Sequence, residues 1–145
     1  MTDTPTAGQR IKAATTPAPY IVSAAATGNL TTSSATAADI PGATATIVTA
    51  QPNASVQVTG IFDVTTTATG GNAVGTCVVD GTTQAGQAIH ANITNSDRQT
   101  VSQVWTVPLA TAGSHTIKLQ GAVTTAGTDQ FSLTHTTINL LVLDW

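Results

Sequence analysis

The chain has 145 residues, a formal net charge of −3 and only 8% charged residues: seven Asp, four Lys or Arg, and no Glu. Ordinary domains carry about 25% charged residues. So few cations exclude the basic patch that phosphate contacts require, and no stretch is long and apolar enough to span a bilayer, so neither nucleic acid nor membrane is expected as a partner.

Length alone makes one domain the default. Leu, Ile, Val and Phe supply 31 residues, close to the composition of about 20% below which chains tend to be disordered. Disorder usually also carries a high net charge, which is absent here. The ordered strand pattern below decides for a folded domain with a small core, and a small core favours an oligomer, which buries more surface per chain. With 31 Thr residues, solubility must rest on hydroxyl and amide groups. Cys77 is the one cysteine, so neither an intrachain disulfide nor a cysteine zinc site is expected. Met1 to Arg10 lacks the apolar core of a signal peptide, so assembly in a cytoplasm is expected.

Residues 1–19 show no apolar periodicity, and Pro5, Pro17 and Pro19 interrupt any helix. Arg10 and Lys12, flanking Ile11, hold half the positive charge. This stretch reads as a solvated tail or, more pointedly, as an extended arm that docks on a partner protein, with the domain proper at 20–145. Tyr20-Ile21-Val22 opens the first strand. A polar connection over 26–42 ends at Pro41-Gly42, a turn signal, and the β-branched run Ala43–Thr49 makes a second strand. Val56, Val58, Gly60, Phe62 and Val64 alternate with Ser55, Gln57, Thr59, Asp63 and Thr65, the clearest strand pattern in the chain. Gly70-Gly71 turns into a strand over Val74–Val79. Asp80-Gly81 then marks a two-residue hairpin, because both positions tolerate positive φ, and 83–90 forms the return strand. Asn92–Arg98 is a polar loop. Val101–Val107, carrying Trp105, is a strand closed by Pro108. His115, Ile117, Leu119 and Val123 alternate with polar neighbours on the next.

The last strand begins at Gln130, with His135 on it. Its end, Ile138-Asn139-Leu140-Leu141-Val142-Leu143-Asp144-Trp145, is the most apolar run in the sequence. Ile138, Leu140 and Val142 share one face; Leu141, Leu143 and Trp145 share the other. A strand apolar on both faces is covered on both. One sandwich core covers one face, and with no helix-period stretch available, neighbouring copies are left to cover the other. A bulge near 135–137 accounts for the change of apolar face at Ile138. Ile138, Leu140, Leu141, Val142, Leu143 and Trp145 are therefore the expected subunit interface. About eight short strands with glycine turns predict an all-β antiparallel sandwich of jelly-roll type.

Asp97-Arg98-Gln99-Thr100-Val101-Ser102-Gln103-Val104-Trp105, followed by Ala112-Gly113-Ser114-His115-Thr116-Ile117-Lys118-Leu119, resembles small virion structural proteins (minor structural or minor tail proteins) of actinobacterial bacteriophages. Gly8 to Ala13 and Asp39-Ile40-Pro41-Gly42-Ala43 also look similar. The likeness covers most of the chain, and its motifs are structural. It implies a sandwich like that of the tumour-necrosis-factor and complement C1q heads, a homotrimer, and a place on a virion. The expected function is a non-enzymatic protein decorating or stabilising the phage capsid surface, as a head decoration protein or short head fibre. Arg10, Ile11 and Lys12 would anchor it on the major capsid protein or another virion protein. The alternative is a tail-associated, receptor- or glycan-binding minor tail protein, which would need exposed aromatics in loops such as 92–98 or 125–130; those loops contain none.

Sites of chemistry are sparse. His90, His115 and His135 lack metal-ligand spacing, although one His per chain, best His135, could form a ring on a threefold axis. The simpler reading is a hydrogen-bonded or exposed strand histidine, and no metal or cofactor is expected. Neither a nucleophile elbow nor a carboxylate pair is present, Asp63 standing alone on a polar strand face and Asp80 serving its turn. Three Asn-x-Ser/Thr matches, at Asn29, Asn53 and Asn92, read as accidents of a Thr-rich chain. Trp105 reads as core and Trp145 as interface.

Overall fold

A computed structural model describes residues 18–66, 70–91, 96–124, 128–132 and 134–144. The segment 1–17, with Arg10, Ile11 and Lys12, lies outside the described residues, as do Leu133 and Trp145. The described chain is entirely strand, turn and loop. Its strands are β1 (Tyr20–Ala25), β2 (Leu30–Thr32), β3 (Ala38–Thr49), β4 (Ala54–Thr66), β5 (Asn72–Val79), β6 (Thr82–Thr83), β7 (Ala88–Ala91), β8 (Arg98–Leu109), β9 (Gly113–Val123), β10 (Asp129–Phe131) and β11 (Thr137–Leu143).

One sheet runs β1-β11-β4-β8, with the short β10 and β2 continuing beside the far end of β4; the other runs β3-β9-β5-β7, with β6 also on β5. All pairs are antiparallel. Leaving aside the short β2, β6 and β10, the two four-stranded sheets cross over as two Greek keys. That is the eight-strand jelly roll expected from the sequence.

Period-two alternation places the core. Val56, Val58, Phe62 and Val64 of β4 face Ile117 and Leu119 of β9 and Cys77 of β5, all fully buried. Phe62 meets Trp105 and Phe131 edge-on, at centroid distances of 6.5 and 6.2 Å, the arrangement that ring quadrupoles favour. Small residues make room for these rings: a Cβ on Gly75 would stand 2.6 Å from the Phe62 ring, and one on Gly60 would stand 2.9 Å from Trp105.

Turn chemistry is realised at Asp80-Gly81, with φ of 48° and 81°, and at Gly70-Gly71, with φ of 91° and 78°. Three expectations are corrected. Pro41-Gly42 does not end a connection: β3 already starts at Ala38, and the pair sits in a bulge where Asp39 pairs Gln120 and Thr44 pairs Lys118. Pro108 does not close its strand but pairs with Ser55 inside β8. β8 is an edge strand, where a missing N–H costs no ladder bond. The return strand over 83–90 splits into β6 and β7, because the Gly86 carbonyl turns aside to accept the Trp105 indole N–H at 3.1 Å.

Candidate assembly surface and polar clusters

β11 lies between β1 and β4. Ile21, Leu141 and Gln57 sit side by side across the three strands, and Ser23, Asn139 and Thr59 form the next row. As alternation requires, Ile138, Leu140 and Val142 point into the sandwich and are at most 1% exposed. They are committed to the chain's own core, which removes them from the expected subunit interface. Leu141 and Leu143 point outward and are half-buried. Beside them Ile21 is 72% exposed, and Val104 on β8 is 48% exposed. A shallow depression of about 150 Å³ lies here, lined by Ile21, Gln57, Thr59, Asn139 and Leu141 with the edge of Leu140. Between Ser55 and Ile61 of β4, and on the flanking parts of β1, β11 and β8, the outward side chains are all uncharged. An uncharged face with apolar side chains and satisfied amides, such as the Ser23 hydroxyl donating to Asn139 Oδ1 at 2.8 Å, suits burial against a protein partner.

At the far end of this face stands a cluster the sequence did not disclose. Asp63 is not a lone polar-face residue but is 2% exposed. Its carboxylate accepts Arg98 Nε at 3.0 Å and a second bond from Arg98 Nη2. His135 Nδ1 lies 3.3 Å away. The Arg98 guanidinium holds the Asp63 carboxyl below its usual range against the opposing effect of burial, with His135 assisting. Arg98 pairs opposite Thr65, diagonal to Asp63, so only the register brings the pair together. His135 is not on the last strand. It sits in a turn at the break between β10 and β11, where Phe131 pairs Val64 but Thr137 pairs Ile61. Six residues on one side match three on the other, an excursion larger than the expected single bulge.

The opposite end of the sandwich carries a second cluster. His115, 4% exposed, donates from Nδ1 to Asp80 Oδ2 at 2.7 Å, because a carboxylate only accepts. Its Nε2 lies 3.0 Å from the Thr111 carbonyl and 3.3 Å from the Thr49 hydroxyl. Burial pushes the Asp80 carboxyl up, but the His115 ring and the Thr116 N–H together hold it below its ordinary value. His90, on β7, places Nδ1 2.9 Å from Gln99 Oε1. The three histidines thus lie in separate places, each in contact with an acceptor on a neighbouring strand or turn. Among the described residues no three His, Cys or Asp side chains come together as metal ligands. Cys77 is buried, which pushes its thiol up to about 12.

No family model and no curated protein matches this sequence. Solved structures share its fold. VP2 of infectious bursal disease virus, in a subviral particle, superposes with a TM-score of 0.55 at 14% identity, over 89% of this chain and 34% of VP2. The Eiger TNF from S. frugiperda gives 0.54 at 12% identity, over 86% of this chain and 94% of that one. Dimeric latent PorU from Porphyromonas gingivalis gives 0.50 at 8% identity. The chain spans about a third of VP2 and 13% of PorU. Identities this low establish the fold: a jelly roll of the kind found in a tumour-necrosis-factor protein and in a viral capsid protein.

Proposed function

We propose that this protein is a non-enzymatic structural component of a bacteriophage virion, a homotrimer that decorates or stabilises the capsid surface and is held there by its N-terminal arm, residues 1–19. One observation carries the reading: the uncharged outer face of the β1-β11-β4-β8 sheet, where Ile21 and Val104 are exposed and Leu141 and Leu143 only half covered. A cyclic assembly that buries this face in every copy completes the cover that the last strand lacks. The fold shared with a viral capsid protein and the phage-like segments Asp97–Trp105 and Ala112–Leu119 support the virion setting. The non-enzymatic reading is supported by structural partners at each histidine: Asp80 beside His115, Gln99 beside His90 and Asp63 beside His135.

The decisive experiment is immunogold labelling of intact particles together with light scattering of the purified protein. Copies spread over the head and a mass of three chains are expected. Label confined to the tail would favour an adhesive role, and a stable single chain would remove the assembly.

A further inference from the structure

We propose that the outer face of the β3-β9-β5-β7 sheet carries a binding pocket for a small uncharged molecule, with its apolar body among Ala35, Ala37, Val74 and Ala122 and its hydrogen-bond acceptor on the Thr76 hydroxyl. Along β5, Ala73 and Cys77 belong to the sandwich core, and a Cβ on Gly75 would strike Phe62. Alternation therefore turns Val74 and Thr76 to the opposite face. Ala122 of β9 and Ile89 of β7, both paired with Val74, stand there too. Side chains on an outer sheet face ordinarily meet water, yet Val74, Thr76 and Ala122 are buried. Ala35 and Ala37, from the connection between β2 and β3, line one part of the pocket. Thr83 of β6 and Gln87, from the connection to β7, line another. A cavity of about 370 Å³ lies between them.

The lining selects the chemistry of the occupant. Its described side chains are all uncharged. On the same sheet face Asp39 and Lys118 hold each other at 2.7 Å. An ion entering the cavity would lose its water without gaining a counter-charge, which is costly, so a neutral molecule fits. Thr76 supplies an independent sign of a ligand. It is 6% exposed, and its hydroxyl is buried without a hydrogen-bond partner. A buried donor left unpaired costs free energy, and a ligand acceptor brought in from the cavity relieves that cost. The walls are already fixed. The Val123 N–H donates to the Ser34 carbonyl, next to Ala35, and the Gln84 N–H donates to the Cys77 carbonyl, both at 2.9 Å. The Trp105 indole N–H donates to the Gly86 carbonyl, next to Gln87. A preformed cavity spares a ligand the cost of ordering loops.

The pocket lies on the sheet opposite the proposed assembly face, so it stands or falls separately from that reading. The probe for it is cyclohexanone, an apolar ring with one acceptor, and cyclohexylammonium is the charged counterpart. In amide NMR spectra of the isotope-labelled full chain, cyclohexanone should shift Val74, Thr76, Gln87 and Ala122 in a saturable way, and cyclohexylammonium should not. Thr76→Val keeps the shape and removes the hydroxyl. It should weaken cyclohexanone binding about fivefold while melting no lower than the parent, because no hydrogen bond within the chain is lost. Ala122→Leu fills the cavity and should abolish binding; should that variant fail to fold, Ala35→Leu fills it from a connection instead. The proposal is overturned if the shifts do not saturate or scatter over the surface, if cyclohexylammonium binds as well as cyclohexanone, or if Thr76→Val binds cyclohexanone as tightly as the parent.

Discussion

At the scale of single residues, the polar face of β4 holds the main lesson. Asp63 sits among Thr, Gln and Ser and looks like an ordinary outward strand residue, yet it is buried by Arg98 and His135. Because the guanidinium keeps its folded-state pKa below the unfolded value of about 3.9, its contribution is complete above that value and is lost as pH falls through the folded pKa. Stability should hold from neutrality down to about pH 4 and fall below it. Asp63→Asn should flatten that acid limb and cost about 1–3 kcal/mol at pH 7, as measured by urea unfolding followed by circular dichroism. The aromatic cluster gives a second prediction. Gly75→Ala puts a methyl group against the Phe62 ring, and an overpacked core should lose about 1–3 kcal/mol, seen as a lower midpoint in thermal melts.

At the scale of elements, β11 turns one apolar face into the core and, in the proposed assembly, the other toward neighbouring copies. Leu140, in the core face, is 1% exposed, so Leu140→Ala should destabilise the fold by about 2–5 kcal/mol. Leu141 faces outward beside Ile21, so Leu141→Lys should leave the melting midpoint of the isolated domain nearly unchanged but reduce the solution mass to one chain. Circular dichroism with light scattering on the two variants tells the two faces apart. If Leu141→Lys keeps the wild-type mass, the β1-β11-β4-β8 face is not where copies meet.

For the whole molecule, the proposed function treats the sandwich as a body and residues 1–19 as its tether. In the proposed trimer, three such tethers on one body would gain effective concentration at a lattice. Deleting residues 2–19 should leave the folding transition and the oligomer mass intact while abolishing incorporation into particles, read by quantitative blotting of purified virions. Retained incorporation would move the anchoring surface onto the sandwich itself.

The sequence by itself determined the fold class and most of its punctuation. Alternation along β4 and β9, the Asp80-Gly81 and Gly70-Gly71 turns, and the core position of Trp105 all follow from local rules, because strand period and turn φ are properties of neighbouring residues. The doubly apolar Ile138–Leu143 run likewise placed β11 inside a sheet. Only the tertiary structure decided which residues share a cluster. Asp63 with Arg98 and Asp80 with His115 are each separated by 35 positions, and pairing register, which no local pattern encodes, brings them together. It also decided which half of the last strand is already spent in the chain's own core, since alternation names two faces but not which one the opposite sheet covers.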